Sequence, residues 1–595
     1  MHTDLPDRDA PRQAARGAVS ANTAAAGTAA PGTAAPGTAR PGRRGRYLKA
    51  AALVAGLVVA FWANLLLSRT NAGNSDGAAQ VMQGWQMLHG HVRLHDWLTG
   101  DVNFGTTEVP EYAAVEALRG LSPDVIHVAA ALTYVISLVM AALIAKGDAR
   151  GRAAVGRSAM AVGIMIAPQL DAGTYTILNS PDHFGTAVPV LLAWLILDRW
   201  PRRWWSAVAV AAILAWTGLA DETLLFIGAL PLVVTCGFRV VRAVAARAVA
   251  ARASTRHGRV AGEQPAVLRP DIVLAVAGVV ATLVTLAGPH ILAAIGGPLE
   301  AAPSTQLSPL HMIFWHNLRV TGWCLLILAG ADFVGVHPAI RAGFEMLHLV
   351  GAALGALAII VGVVRYLREK DLVTQLLVAG IIFNLLSFAA GTHSVEDTFA
   401  REISPVLTLG AALAGRLLGG RLLAEGTLAR WLTPVLSLVL CGYLAGLAYE
   451  ASRPAVPAQS QQLASWLEAH HFRYGLAGYW QASIVTVETG GQVEVRPITP
   501  VLGKSDKFRT VAKQSLESWY DPRYNYANFV VLYPGHPGAE PFTGYTGVGA
   551  FNSTRDMLAT FGKPARVYHD GQYAIYVWNK NLLTDLPWVQ PVNLP

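Results

Sequence analysis

RRGRYLKAAALVAGLVVAFWANLLLSRTNAGNSDGAAQ, residues 43–80, decides how the rest of the chain reads. The run from Leu48 to Ser68 is apolar and long enough to cross a hydrocarbon core of about 30 Å as a helix. No small-residue cleavage site closes it, so it reads as a spanning helix rather than a removable signal peptide. Arg43, Arg44, Arg46 and Lys49 flank its start. Basic residues beside a span mark its cytoplasmic end, so Asp76, just past the other end, stands on the outer face.

Working outward, the rest of the sequence has the same character. Of 595 residues, 53% are hydrophobic and 14% charged, against roughly a quarter charged in soluble domains. The net charge of +8 sits in short clusters between apolar runs. That placement is membrane topology, and it argues against nucleic acid as a partner. Upstream, residues 1–46 are rich in Ala, Pro, Gly and Thr with a repeated AAPGT unit, too poor in apolar bulk to fold, and are expected to form a disordered cytoplasmic tail. Downstream, apolar runs cover Val125–Ala145, Ala153–Pro168, Phe184–Leu197, Trp204–Ala220, Thr223–Phe238, Ile272–Ile295, Phe344–Val364, Leu372–Ala390, Ile403–Leu418 and Trp431–Tyr449. With the first they make about eleven spans. Basic loops such as Arg199/Arg202/Arg203 and Arg365/Arg368/Lys370 then fall on one side, and acids collect on the other. Met312–Val334 breaks this parity if counted, so an interfacial or re-entrant element is expected there. Cys236, Cys324 and Cys441 lie far apart in apolar stretches and indicate neither disulfides nor a metal knuckle.

After Tyr449 the sequence turns polar and aromatic, and odd parity places residues 453–595 outside as a soluble α/β or α+β domain. The pattern predicts a helix over Gln461–His471, then a hairpin of strands Ala482–Glu488 and Gln492–Ile498 about Gly490-Gly491. It continues with a strand over Asn528–Tyr533, a helix over Ser553–Phe561 capped by Asn552, and two strands about Asp570-Gly571. Trp466, Trp480, Trp519 and Trp578 are candidates for stacking on sugar rings, with core packing the competing role.

The candidate chemistry lies in the outer loops. In loop 69–124, Ala79, Met82 and Trp85 recur at helical spacing behind Asp76, which is either the cap of that helix or a functional carboxylate. Asp96, Asp101, Glu108, Glu111 and Glu116 follow. They suit a divalent cation or solvation of an outer face, and most are expected to be solvated. His89, His91 and His95 match no familiar zinc spacing. The next outer connection carries Asp171, Asp182 and His183, suggesting a pocket shared with Asp76, unless Pro181-Asp182 only starts a helix. Before a late run, Glu396, Asp397, Arg401 and Glu402 precede Pro405, which is expected to kink the helix or keep it mobile. A guanidinium there suits a phosphate or a neighbouring carboxylate. His316 and Arg319 are further candidates for positive charge. No phosphate-loop, GxSxG-elbow or HExxH pattern stands in a context that would confirm it, and no nucleotide is expected outside the membrane.

Asp76 after the first span, the acidic connection with Asp182, Arg401-Glu402 before Pro405, and the outer C-terminal domain together resemble the GT-C class of membrane glycosyltransferases, which use polyprenyl-phosphate sugars. The resemblance implies a polytopic helical fold with a soluble outer domain in the plasma membrane. It implies transfer of a hexosyl or pentosyl group, with inversion, from a polyprenyl-phosphate donor to a glycan, lipid or protein acceptor. Asp76 takes the place of general base. Arg401, with Arg319 and His316, takes that of the donor-phosphate site, and Asp182, His183 and Glu108 those of supporting acids or metal ligands. The paired first-loop acids of that class are missing here, which leaves a divalent cation open. A transporter or lipid flippase, or a non-catalytic cell-envelope assembly protein, are the alternatives. Neither an internal repeat nor midplane charge favours transport.

Overall fold

A computed structural model describes residues 43–100, 102–166, 172–201, 203–256, 268–300, 306–333, 339–394, 397–424, 426–500, 507–511, 513–533 and 553–586. Residues 1–42 of the expected disordered tail, Asp101, Asp171, Glu396 and Asn552 lie outside them.

Every apolar run carries a helix, and the chain is a multi-pass membrane protein. Among the described residues eight helices are long and apolar enough to cross a membrane: Tyr47–Ser68, Asp124–Lys146, Leu225–Val249, Arg269–Leu286, Ile340–Arg365, Leu372–Ala390, Phe399–Leu423 and Gly426–Ala451. The other three expected spans are helical but short or charged at their ends. Gly151–Met165 and Trp204–Gly218 have 15 residues each, about 22 Å of rise, and Asp182–Arg199 is bracketed by Asp182, Asp198 and Arg199. The Met312–Val334 segment forms a short helix Leu310–Met312, a π-turn Ile313–Asn317 and a helix Leu318–Leu328.

Without a hydrophobic force between helices in lipid, close backbone approach decides which ones pair. Gly415 and Gly419, four residues apart, meet the backbone of Gly156 and Arg157, and a Cβ on Gly419 would lie 2.6 Å from Arg157 Cα. Only glycine fits at that crossing.

Among the described residues nine strands lie outside the helices: β1 (Trp97–Thr99), β2 (Leu299–Glu300), β3 (Tyr474–Ala477), β4 (Glu494–Pro500), β5 (Phe508–Thr510), β6 (Ser515–Leu516), β7 (Phe529–Leu532), β8 (Arg566–Asp570) and β9 (Tyr573–Val577). The larger sheet has the order β5-β4-β3-β7-β9-β8. β3 runs parallel to β4 and β7, while β7, β9 and β8 are antiparallel. The expected hairpin at Gly490-Gly491 is corrected here. Tyr479–Glu488 is a helix, because joining parallel β3 to β4 requires a crossover rather than a tight turn. Its β-branched residues Ile484, Val485 and Val487 are buried, so packing overrides their strand preference. The later helix spans Thr554–Phe561 with Ser553, not Asn552, as cap: its hydroxyl accepts the Asp556 N–H at 3.1 Å. The Asp570-Gly571 hairpin forms as the sequence predicts.

A smaller sheet, β2-β1-β6, joins three distant parts of the chain, with Trp97 opposite Leu516 and Leu98 opposite Ser515. Around it the first outer loop and the C-terminal region share one core. Leu94, Trp97, Phe104 and Val109 pack with Leu476, Ile498, Trp519 and Trp578. Trp97 and Trp519 meet edge to face at 5.2 Å, and Gln83 donates to Gln514 at 2.7 Å. Trp519 and Trp578 are therefore core residues, while half-buried Trp466 stacks on His470 and Phe472. Truncating Trp97, only 1% exposed, should cost about 3–5 kcal/mol and loosen both partners. We expect Trp97→Ala to speed limited proteolysis between residues 460 and 586 in detergent. Unchanged cleavage would show that the two segments fold independently.

Candidate functional site

Asn74 starts the Ser75–Leu88 helix, its Oδ1 accepting the Gly77 N–H at 3.0 Å. The cap is thereby filled, and the Asp76 carboxylate turns to other partners. One oxygen accepts the Tyr479 hydroxyl. The other lies 3.7 Å from Arg401 Nη1, with the two side chains 20% and 34% exposed. A pair so placed feels less solvent screening than a surface ion pair. One helical turn on, Gln80 Nε2 donates to Asp182 Oδ1 at 2.7 Å, and Ser180 Oγ donates to the same atom at 2.8 Å. Tyr175 hydroxyl accepts Asn74 Nδ2 at 3.2 Å, and Lys513 Nζ stands 5.7 Å from the centre of the Tyr479 ring.

Arg401 and Glu402 sit on a 3-10 turn, Asp397–Ile403. Pro405 is the first residue of the helix Pro405–Ala414. The expected kink or mobile entrance is corrected: at that position proline lacks no needed donor and starts a helix. Ser404 Oγ and Asn384 Nδ2 hold the turn, donating to the Arg401 and Glu402 carbonyls at 2.6 and 3.2 Å. Glu402 pairs with His393 at 2.7 Å.

Beside this turn a cavity of about 310 Å³ is lined by His183, Asp221, Asn384, His393, Arg401 and Glu402, among others. His183 Nδ1 is 3.0 Å from both Asp221 Oδ2 and Thr223 Oγ1. Its ring meets Phe104 edge on at 5.5 Å. Burial alone disfavours the imidazolium, but the Asp221 charge and hydrogen bond outweigh it and raise the His183 pKa to about 9. Burial would raise the Asp221 pKa, yet His183, Thr186 and the Thr223 N–H hold it below its ordinary value. The raised pKa favours an imidazolium at neutral pH, paired with the Asp221 carboxylate, in the same cavity as Arg401.

The helix Glu108–Arg119 corrects the expectation that most first-loop acids are solvated. Glu108 and Glu116 are each 2% exposed. Glu108 accepts the Thr107 hydroxyl and occupies the space that Gly185 leaves by having no Cβ. Burial pushes its pKa well up, moves Glu111 to about 7, and moves Glu116 to about 9. Neither Glu116 oxygen has a hydrogen-bond partner among the described residues. Glu108 and Glu116 thus favour the neutral form at pH 7 and act as packing elements rather than a charged face.

Arg319 is exposed on the Leu318–Leu328 helix, and neither it nor His316 lines the cavity. His89 contacts the Trp85 carbonyl at 2.7 Å, and His95 pairs with Asp96 at 2.7 Å. Among the described residues no group of three or more His, Cys, Asp or Glu side chains is placed to hold a metal. Tyr479, Asp221 and Lys513 are the site residues that sequence reasoning misses. For Asp221 the signal was an acid between two apolar runs at Ala220-Asp221-Glu222-Thr223. For Tyr479 there was none.

No protein-family model matches the chain, and no curated protein matches it. Among solved structures it is similar to the Archaeoglobus fulgidus oligosaccharyltransferase in complex with zinc and sulfate, at 15% identity and TM-score 0.43, over 80% of this chain and 67% of that one. The same oligosaccharyltransferase tethered to an acceptor peptide containing the NVT sequon matches at 14% identity and TM-score 0.42, over 82% and 70%. ArnT from Cupriavidus metallidurans in the apo state matches at 12% identity and TM-score 0.47, over 91% of this chain and 99% of that one.

Because the folded-state pKa of His183 lies above the free value of about 6.5, the ion pair stabilises the protein fully below that pH and loses its effect as pH rises through about 9. Thermal unfolding of wild type should therefore fall towards that of His183→Gln between pH 7 and 10. Parallel curves for the two proteins would exclude a buried imidazolium.

Proposed function

We propose that the protein is a membrane glycosyltransferase that moves a hexosyl or pentosyl group from a polyprenyl-phosphate donor to an acceptor hydroxyl at the outer face of the plasma membrane. The observation that carries this reading is the approach of Asp76 to Arg401 at 3.7 Å beside a polar cavity. It joins a carboxylate and a guanidinium, the two groups that an inverting displacement from a phosphate leaving group needs, at one membrane edge.

In the proposed step Asp76 takes the proton of the acceptor hydroxyl while its oxygen bonds to the anomeric carbon. The bond from that carbon to the phosphate oxygen breaks, and the lipid phosphate leaves with the electron pair. Arg401, with five N–H donors, meets the charge developing on phosphate while still facing Asp76. The imidazolium of His183 adds positive charge to the cavity, and Asp221 keeps it protonated. Tyr479 fixes the orientation of the Asp76 carboxylate. Glycan, lipid or protein acceptors are all compatible with this chemistry, as is a divalent cation bound with the donor.

An outer-face location has structural support. First-loop residues Leu94, Trp97, Phe104 and Val109 share a core with Leu476, Ile498, Trp519 and Trp578, which supports a common side for the two, and the basic clusters of the sequence support the outer one. We assign residues 47–452 to the transferase domain and 453–595 to the outer domain on this basis.

The test supplies labelled polyprenyl-phosphate sugars to purified protein in detergent or nanodiscs. Asp76→Asn should lower turnover about 10²–10⁴-fold and Arg401→Ala about 10²–10³-fold. Arg319→Ala should leave turnover near wild type, since that side chain does not line the cavity. Equal transfer by Asp76→Asn and wild type would overturn the role of Asp76. Wild-type protein inert towards every donor would overturn the transferase reading itself.

A further inference from the structure

At the far end of the same helices lies a second polar cavity, of about 440 Å³. Three helices connect the two places. Leu372–Ala390 runs from Asp371 at this cavity to Asn384 at the candidate site, Phe399–Leu423 runs from Arg401 to Arg421, and Asp182–Arg199 runs from His183 to Asp198. The second cavity is thus at the opposite membrane face. Its lining includes Arg157, Arg365, Arg416 and Arg421, with Asp148, Glu369 and Asp371.

The local pairings decide what is left for a ligand. Arg416 is spent, its Nε 2.7 Å from Asp371 Oδ2 and its Nη2 2.6 Å from Asp198 Oδ1, with the side chain 8% exposed. Asp371 is spent with it, and also accepts the Thr374 hydroxyl and N–H. Glu369 Oε1 accepts the Lys370 and Asp371 N–H groups at 2.8 and 3.0 Å. Arg157, Arg365 and Arg421 make no ion pair or side-chain hydrogen bond among the described residues, and Arg157 Nε is buried without an acceptor. Three guanidiniums without an ion pair thus face two carboxylates without one, those of Asp148 and Glu369, and the cavity keeps an excess of positive charge. A buried donor without an acceptor costs about 1–3 kcal/mol, a cost that a ligand with anionic oxygens removes.

We propose that this cavity is a phosphate-binding site, with Arg157, Arg365 and Arg421 as its donors and the phosphate ester of an anionic membrane lipid as its principal source. Guanidiniums match phosphate oxygens in geometry and charge, and basic pockets between helices at a membrane face suit lipid head groups. An apolar cavity of about 620 Å³ borders two elements that also line this one, the Gly151–Met165 helix and the Gly420–Leu423 helical turn. Arg152, Val155, Gly156 and Met160 of the Gly151–Met165 helix line it together with Leu423, which offers a place for acyl chains beside the arginines. Inorganic phosphate carries the same recognised group without chains.

The experiment reads thermal stability and retained lipid for the full chain in nanodiscs of phosphatidylcholine, of phosphatidylcholine with phosphatidylglycerol, and of phosphatidylcholine with added inorganic phosphate. We expect phosphatidylglycerol to raise the unfolding temperature and to be retained on mass spectrometry. Arg157→Gln with Arg365→Gln and Arg421→Gln should weaken that response roughly tenfold or more in lipid concentration. Arg430→Gln, an exposed arginine outside the cavity, should leave it unchanged. If inorganic phosphate gives the same arginine-dependent shift, the site stands with free phosphate as its source. If neither source shifts wild type, or if the triple variant responds like wild type, the proposal is overturned. Should the triple variant not fold, Arg365→Gln with Arg421→Gln carries the same comparison, since both side chains are exposed.

Discussion

The position of the Asp76 carboxylate depends on three segments that are far apart in the chain. The Ser75–Leu88 helix supplies it, the Asp397–Ile403 turn brings Arg401 to one oxygen, and the C-terminal region brings the Tyr479 hydroxyl to the other. A carboxylate at a membrane edge with a single partner would rotate and hydrate. Held from two sides, it has one orientation, and the neighbouring groups take theirs from it. Gln80, one turn along the same helix, fixes Asp182, and Asp182 begins the helix that carries His183 to Asp221. The helix that carries Asp76 thus also anchors one edge of the cavity wall through Gln80.

Much of this was legible in the sequence, for definite reasons. Apolar runs of spanning length have few alternatives to helix in a bilayer, because their backbone polar groups find no water. Asp76, Asp182, His183 and Arg401 could be picked out because charge at the ends of such runs is costly unless used or solvated. What the sequence hid depends on contacts between distant positions. The Tyr479–Asp76 bond joins residues 403 apart. The stretch Ile484-Val485-Thr486-Val487 has strand composition and becomes a helix only because β3 and β4 are parallel. Glu108 and Glu116 look like surface charge in a polar loop. They are buried because their helix packs between the Ser75–Leu88 and Asp124–Lys146 helices, where Gly185 and Gly84 leave room for their carboxyl groups.

Charge is handled in opposite ways at the two ends of the helices. At one end the acids are either neutralised by burial, as in Glu116, or matched to a cation, as Asp221 is to His183. At the other, Arg416 bridges Asp198 and Asp371 and ties together three helices. Replacing such a bridge by apolar groups is often tolerated, but removing one partner is not. The bridge and the Gly415–Gly419 crossing therefore fix the framework at that end and leave the candidate site to be shaped by its loops.

The small sheet β2-β1-β6 also sets an order of assembly. Trp97 can be covered only once residues near 299, 515 and 519 exist on the same side of the membrane. Pairings so distant in sequence form late, because the intervening chain must be closed before they can be made. Leu94, Trp97, Phe104 and Val109 leave the ribosome early, yet their partners come from the last fifth of the chain, after all the membrane crossings are made. During biogenesis the first outer loop is thus an apolar surface waiting for its cover, exposed to misassociation for most of the time the chain takes to be made.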